Sequence, residues 1–200
     1  MIMVGYILVE VSARHIHLSE GDLEVLFGSG YQLVKRKDLS QPGQYACEEK
    51  VEVIGERGKM AVSVLGPARE ETQVELSLTD ARALGIEAPI RESGDTRGSG
   101  ACVIRGPQGT LRLREGVIAA KRHIHLTPKE ARQIGVRDRE EVSVHVRSDS
   151  RAMIFKDVVV RISEKYSAAM HIDTDEANAA GITGTVYGSI MMTERRAMEG

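Results

Sequence analysis

The chain has 200 residues, 27 Lys and Arg against 29 Asp and Glu, a net charge of −2, 42% hydrophobic and 28% charged residues. That balance describes a soluble globular protein and offers no bulk positive charge for nucleic acid. No apolar run reaches the roughly 18 residues of a membrane-spanning helix, and two cysteines, Cys47 and Cys102, exclude a disulfide framework and fit a reducing compartment.

The opening MIMVGYILVEV is apolar but lacks a basic leader region, so it reads as a first strand rather than a signal peptide. Arg14-His15-Ile16-His17-Leu18 follows, then Ser19 with Asp22 three residues on, which predicts a capped helix ending near Gly28. A polar stretch, 35–46, leads to short β-branched runs at 51–55 and 60–66, separated by the turn Glu56-Arg57-Gly58. Gly66-Pro67-Ala68-Arg69 predicts a turn that projects Arg69 toward Glu75, and Ser77 with Asp80 predicts a second capped helix stopping at Gly85. Further strands are expected at 101–106, 141–146 and 157–163. Capped helices are expected after Thr127 (Pro128, Glu130, ending at Gly135) and after Asp173 (Glu176, ending at Gly181). Many short strands with close turns and few helices indicate small barrels or sandwiches, not alternating βαβ units.

An internal repeat organises the chain. Arg14-His15-Ile16-His17-Leu18-Ser19 recurs 108 positions later as Arg122-His123-Ile124-His125-Leu126-Thr127. Residues 75–86 align without gaps on 171–182, an offset of 96, so the first copy carries about a dozen extra residues, for which 35–46 is a candidate place. Each unit delivers a strand-end residue (His17, Glu75, His125 or His171) two positions before a helix cap.

In a strand, residues i and i+2 share a face, with Cα atoms roughly 6–7 Å apart, so His-Ile-His presents two imidazoles together. Five of the six histidines fall in the repeated units, and Glu75 aligns with His171. His15, His17, Glu75, His123, His125 and His171 are therefore the candidate metal ligands. Imidazole with carboxylate suits zinc, and six ligands exceed the needs of one ion, so two metals are expected. A guanidinium at Arg69 beside a metal suits an anionic oxygen substrate, whereas the plainer reading pairs Arg69 with Glu70 or Glu71 on the surface. His145, outside the repeats, reads as an ordinary strand histidine, and both cysteines as small packing residues. The glycines form no dinucleotide or P-loop pattern.

The blocks VEVSARHIHLS, LSQPGQYA, LGPAR-x-x-TQVE, APIRESG, KRHIHLTP and HIDTDEANAAG resemble the PduL-type phosphotransacylases, also called phosphate propanoyltransferases, from about Val9 to Ile182. The resemblance implies a mainly β fold of two small β-barrels with short capping helices, related by duplication, with a metal site between them. One barrel would comprise 1–13 and 121–200, the other 14–120 with an insertion near 28–50. It also implies two zinc ions per chain, with His15, His17 and Glu75 on one and His123, His125 and His171 nearer the other. Arg69 would hold phosphate, and Ser12, Arg57 and Asn178 would contact coenzyme A. Ser63 stands where many members carry a basic residue. The implied reaction interconverts a short-chain acyl-CoA (propanoyl or acetyl) and phosphate with acyl phosphate and CoA, without a covalent acyl-cysteine.

A metal-dependent thioester or phosphoester hydrolase is the alternative enzyme, and a metal-storage barrel the non-enzymatic one. No nucleic-acid or membrane partner is expected, a kinase using the acyl phosphate is a candidate downstream partner, and oligomeric state is left open. The resemblance implies that members in bacterial microcompartments usually carry an N-terminal targeting extension, while recruitment by other means stays open. With His15 so early in the sequence, a cytoplasmic enzyme is expected.

Overall fold

The apolar opening forms strand β1 (Ile2–Ser12), and a computed structural model describes the chain over residues 2–192. The elements that follow are β2 (His15–His17), α1 (Glu20–Phe27), β3 (Lys35–Asp38), β4 (Tyr45–Ile54), β5 (Lys59–Gly66), β6 (Gln73–Glu75), α2 (Leu78–Leu84), β7 (Ile90–Arg91), β8 (Gly100–Arg105) and β9 (Thr110–Ala120). The second half contributes β10 (His123–Leu126), α3 (Pro128–Ile134), β11 (Glu141–Arg147), β12 (Ala152–Ile162), β13 (Ala169–Asp173), α4 (Thr174–Ala180) and β14 (Val186–Met192). The chain is mainly β with short helices, as its strand pattern and caps predict.

Two units result. In the unit Ala13–Ala120, the strands run β4-β5-β2-β6-β9-β8 and β8 pairs back onto β4, closing a barrel, with β3 and β7 as additions. In the unit that joins Met1–Ser12 to the chain from Lys121 onward, the closed barrel runs β11-β12-β10-β13-β1-β14. The two orders match strand for strand in pairing sense. β2 is parallel to β5 as β10 is to β12, β6 is parallel to β9 as β13 is to β1, and the remaining pairs are antiparallel.

The match exposes an exchange of leading strands. β1 runs into β2 along the chain but pairs with β13 and β14, whereas β9 runs into β10 but pairs with β6 and β8. Both leading strands are 11 residues long, so each copy lends an equivalent strand to the other copy's barrel. Among the described residues, closure of both barrels leaves no long open edge, the usual liability of a small sheet.

Each barrel has its own apolar core. Ile16, Val64, Val74 and Val117 are fully buried in one, and Ile124, Val144, Val160 and Met170 in the other. A buried Ile, Val or Leu contributes about 1.5–3 kcal/mol, so Ile16 and Ile124 anchor the His-Ile-His strands by their middle residues. Period-2 alternation then turns the flanking histidines to the opposite face.

All four helices start on the expected caps. Ser19, Ser77, Thr127 and Asp173 each accept from the backbone N–H three residues on. Only Glu130 and Glu176 complete the reciprocal capping box. Asp22 and Asp80, one methylene shorter, turn instead to Thr72 and Arg14. The helices end at Gly28, Gly85, Gly135 and Gly181, the last three left-handed, as C-cap glycines commonly are. Among the described residues no helix is long and apolar enough to cross a membrane.

Candidate active site

β2 and β6 run antiparallel, with His15 opposite Glu75 and His17 opposite Gln73. This register brings His15, His17 and Glu75 together, with one ligand atom from each within 4.8 Å of the others. β10 and β13 repeat the arrangement: His123 lies opposite His171, and His123, His125 and His171 form a second triad within the same 4.8 Å limit. All six sequence-predicted ligands are thus gathered, three in each unit.

The first histidine of each motif is oriented by its own strand. His15 Nδ1 lies 2.9 Å from the Ala13 carbonyl oxygen and His123 Nδ1 lies 2.9 Å from that of Lys121. An N–H donated there leaves the Nε2 lone pair for the site. His15 Nε2 faces Glu75 Oε2 at 3.4 Å, so a proton or a metal cation must stand between two groups that otherwise repel. Without a metal the proton takes that role. Burial would lower the His15 pKa, but Glu75 outweighs it and raises it. Burial would likewise raise Glu75, but His15 holds it below the carboxylate range, helped by His17 and Ser93.

The second histidine of each motif carries the stronger sign of a ligand site. His17 Nδ1 and His125 Nδ1 are buried and make no well-formed hydrogen bond, although the Leu65 backbone carbonyl also acts on the His17 ring. Such atoms are costly unless something pairs with them. Both rings are held neutral. Burial, then His15 and Arg69, push His17 down to about 3, while burial, then His123 and His171, push His125 down to about 2. Neutral imidazole is the form that ligates a metal, so the donor sets of both triads fit zinc.

The third position differs between the copies. Glu75 Oε1 accepts from Gln73 Nε2 at 2.6 Å and from Ser93 Oγ at 2.8 Å. His171 Nδ1 instead lies 3.7 Å from Glu10 Oε2, the residue opposite it on β1. Tyr166 stacks on His125 with ring centroids 4.0 Å apart.

Arg69 is half-buried, and its backbone is pinned beside the motif, Arg69 N–H donating to the Leu18 carbonyl at 2.8 Å. Its Nη1 lies 3.5 Å from Ser93 Oγ, and its charge lowers the pKa of both His15 and His17. The turn before it opens with a cis Gly66-Pro67 bond. Any side chain at Gly66 would strike the Tyr45 ring, so glycine is required where β5 ends.

Of the residues expected at coenzyme A, Ser12 and Asn178 belong to one unit and Arg57 to the other. Ser12 ends β1 opposite Asp173, the cap of α4. Asn178, on α4, lines a cavity of about 390 Å³ together with Val9, Val11, Thr174 and Gly184. Arg57 sits in the β4–β5 turn, its N–H donating to the Leu84 carbonyl at 2.9 Å. His145 pairs with Ile154 and Ser189 within its barrel, as an ordinary strand residue. Cys47 and Cys102 are buried free thiols.

Gln73, Ser93 and Tyr166 escaped the sequence reading. Gln73 was discoverable, since it lies two residues before Glu75 and shares its face of the strand; Ser93 and Tyr166 lie in loops and carry no such signal.

Residues 8–183 match the model of the phosphate propanoyltransferase family. The chain belongs to that family. It is 54% identical to the phosphate propanoyltransferase of Thermotoga maritima over 175 residues, 87% of this chain and 83% of that one. With the enzyme of the same name from Clostridioides difficile it shares 52% over 184 residues, 91% of this chain and 88% of that protein. The relative from Sebaldella termitidis is 50% identical over 184 residues, 92% and 87% of the two chains. The protein is an enzyme, an acyltransferase of the phosphotransacylase type.

Proposed function

We propose that the enzyme converts propanoyl-CoA and phosphate into propanoyl phosphate and CoA, and accepts acetyl-CoA as a shorter substrate. The observation that carries this reading is Arg69 held beside the His15, His17 and Glu75 triad. A fixed guanidinium next to a metal-type ligand set is a phosphate cradle. A phosphate oxygen attacks the thioester carbonyl, a C–O bond forms as the C–S bond breaks, and CoA leaves as a thiolate that takes up a proton. Arg69 orients the attacking phosphate and offsets its charge, turning an encounter into a positioned reaction.

The two triads are assigned one zinc ion each, held by His15, His17 and Glu75 and by His123, His125 and His171. Bound zinc supplies stabilisation of the CoA thiolate and polarisation of the acyl carbonyl. Ser12, Arg57 and Asn178 are assigned to coenzyme A. Transfer is direct, because burial pushes Cys47 up to about 11 and Cys102 up to about 12, leaving no thiolate to carry an acyl group. Buried reduced thiols also support a cytoplasmic setting.

Release of CoA from propanoyl-CoA, followed with and without phosphate, tests the reading. CoA release that requires phosphate and yields acyl phosphate supports it. Release at the same rate without phosphate replaces it with a hydrolase, and no release with metal still bound replaces it with metal storage.

A further inference from the structure

The two copies of the module place different residues behind their third ligand, and the differences go together. Opposite the second histidine of the motif stands Gln73 in one copy and Ala169 in the other. Opposite the third ligand, on the exchanged leading strand, stands Ile118 behind Glu75 and Glu10 behind His171. Thus a carboxylate ligand comes with an amide beside it and an apolar residue behind it. An imidazole ligand comes with alanine beside it and a carboxylate behind it. Each supporting residue suits its ligand: a carboxylate facing the imidazole at 3.7 Å, and hydrogen-bond donors for the carboxylate.

The donors to Glu75 form a closed network. The Gly94 backbone N–H donates to Gln73 Oε1 at 2.7 Å. A backbone N–H can only donate, so this bond fixes the amide with Nε2 toward Glu75. Nε2 donates to Glu75 Oε1 at 2.6 Å and to Ser93 Oγ at 2.9 Å, and Ser93 donates to the same Oε1 at 2.8 Å. Both donors therefore land on one oxygen, and Oε2 is the oxygen turned to His15. Gln73 is buried, 2% exposed, so its amide is shielded from bulk solvent. Ser93 is also the residue toward which Arg69 Nη1 points, at 3.5 Å.

We propose that Gln73 and Ser93 are positioning residues that hold Glu75 with Oε2 presented as a zinc ligand, and that Ser93 couples this ligand to the phosphate-holding Arg69. The proposal rests on the zinc reading of the triads given above. It predicts that the Glu75 site depends on these two residues and that the His171 site does not.

The test is zinc titration of the metal-free full-length chain against a competing chelating dye, with Gln73→Ala, Ser93→Ala, the conservative Ser93→Thr, and unmodified protein side by side. Gln73→Ala and Ser93→Ala should each weaken one of the two zinc sites by about 10- to 100-fold and leave the other unchanged. Ser93→Thr, which keeps the hydroxyl, should restore affinity. In steady state Ser93→Ala should raise KM for phosphate more than KM for acyl-CoA. Ser93 lies in a half-buried loop, so its truncation spares the barrel should Gln73→Ala fail to fold. Unmodified protein with two zinc sites, and Ser93→Ala with the same two affinities, overturns the positioning role alone. Unmodified protein that takes up no zinc overturns the metal reading, and the proposal with it.

Discussion

Arg122 and Glu176 meet across 54 residues of sequence, Nη1 to Oε1 at 2.8 Å, and Arg14 makes the equivalent reach to Asp80 at 3.2 Å. The arginine that opens each His-Ile-His motif thus grips the acidic residue in the first turn of the helix that follows the third ligand. Its Nε also donates to a strand carbonyl, of Lys156 at 2.7 Å or of Ala61 at 3.2 Å. Ligand strand, neighbouring strand and capped helix are tied by one side chain in each barrel. This explains why the repeat preserves Arg together with the histidines.

The two latches should differ in strength, because the Arg122 side chain is 29% exposed and that of Arg14 is 45% exposed. Arg122→Ala leaves Glu176, whose pKa burial already raises, without its charged partner. Losing that charge-assisted hydrogen bond should cost about 1.5–3 kcal/mol, whereas Arg14→Ala should cost under ~1 kcal/mol. Urea denaturation of the metal-free chain reads both. Equal losses would contradict burial as the deciding factor.

The cysteines give a pH prediction. Burial raises both thiols, Cys47 to about 11 and Cys102 to about 12, above the ordinary value near 8.5. The folded chain keeps protons that the unfolded chain sheds, so unfolding releases protons above pH ~8.5. Stability from this source is complete below that pH and falls as pH rises toward the folded values. Alkylation by iodoacetamide should accordingly be slow in native protein at pH 8 and fast in urea, and Cys47→Ser with Cys102→Ser should keep most activity. Loss of turnover in a folded double variant would restore an acyl-cysteine mechanism.

Much of this site was legible before the fold was known. Two copies of Arg-His-Ile-His, four caps with an acid three residues on, and the alignment of Glu75 with His171 locate all six candidate ligands that the fold gathers, because strand period and cap spacing are local rules. The strand exchange is not legible from the residues. β1 and β9 are both 11-residue strands leading into the same motif, and nothing in either pattern says which barrel it joins. The Arg122–Glu176 latch was half visible, its acid readable only as a cap. Ser93 falls inside the block APIRESG, yet its role was not legible, since a loop serine gains meaning only from the carboxylate that the fold brings to it.

Metal content should divide by module. Unmodified protein should carry close to two zinc ions per chain, and His125→Ala or His17→Ala should each lower that by about one, since each removes one imidazole from a different triad. Because zinc binds the folded state, removal by a chelator should lower Tm and abolish turnover, and added zinc should restore both. Elemental analysis of the purified variants checks the first part and thermal denaturation the second. Two zinc ions retained in the His17→Ala, His125→Ala double variant would remove the triads from consideration.

Arg69 gives the sharpest kinetic test. Its backbone is fixed by Leu18 and its guanidinium lies by Ser93, so Arg69→Lys should keep fold and zinc content. Lysine offers a point charge in place of a planar fork, and phosphate then loses its paired contact. A charge-assisted contact made in the transition state is worth about 2–4 kcal/mol, or roughly 30- to 1,000-fold in rate. The loss should fall on kcat and on KM for phosphate, with acyl-CoA affinity little changed, because the residue acts on the nucleophile and not on the thioester. A surface arginine paired with Glu70 or Glu71 predicts something else: near-normal kinetics and a stability change below ~1 kcal/mol. The Arg69 charge opposes protonation of both His15, raised overall by Glu75, and His17, so it reaches the triad, which favours the first outcome. Steady-state kinetics varying phosphate and acyl-CoA separately decide the matter, and unaltered phosphate dependence in both Arg69→Lys and Arg69→Ala would exclude it from the reaction.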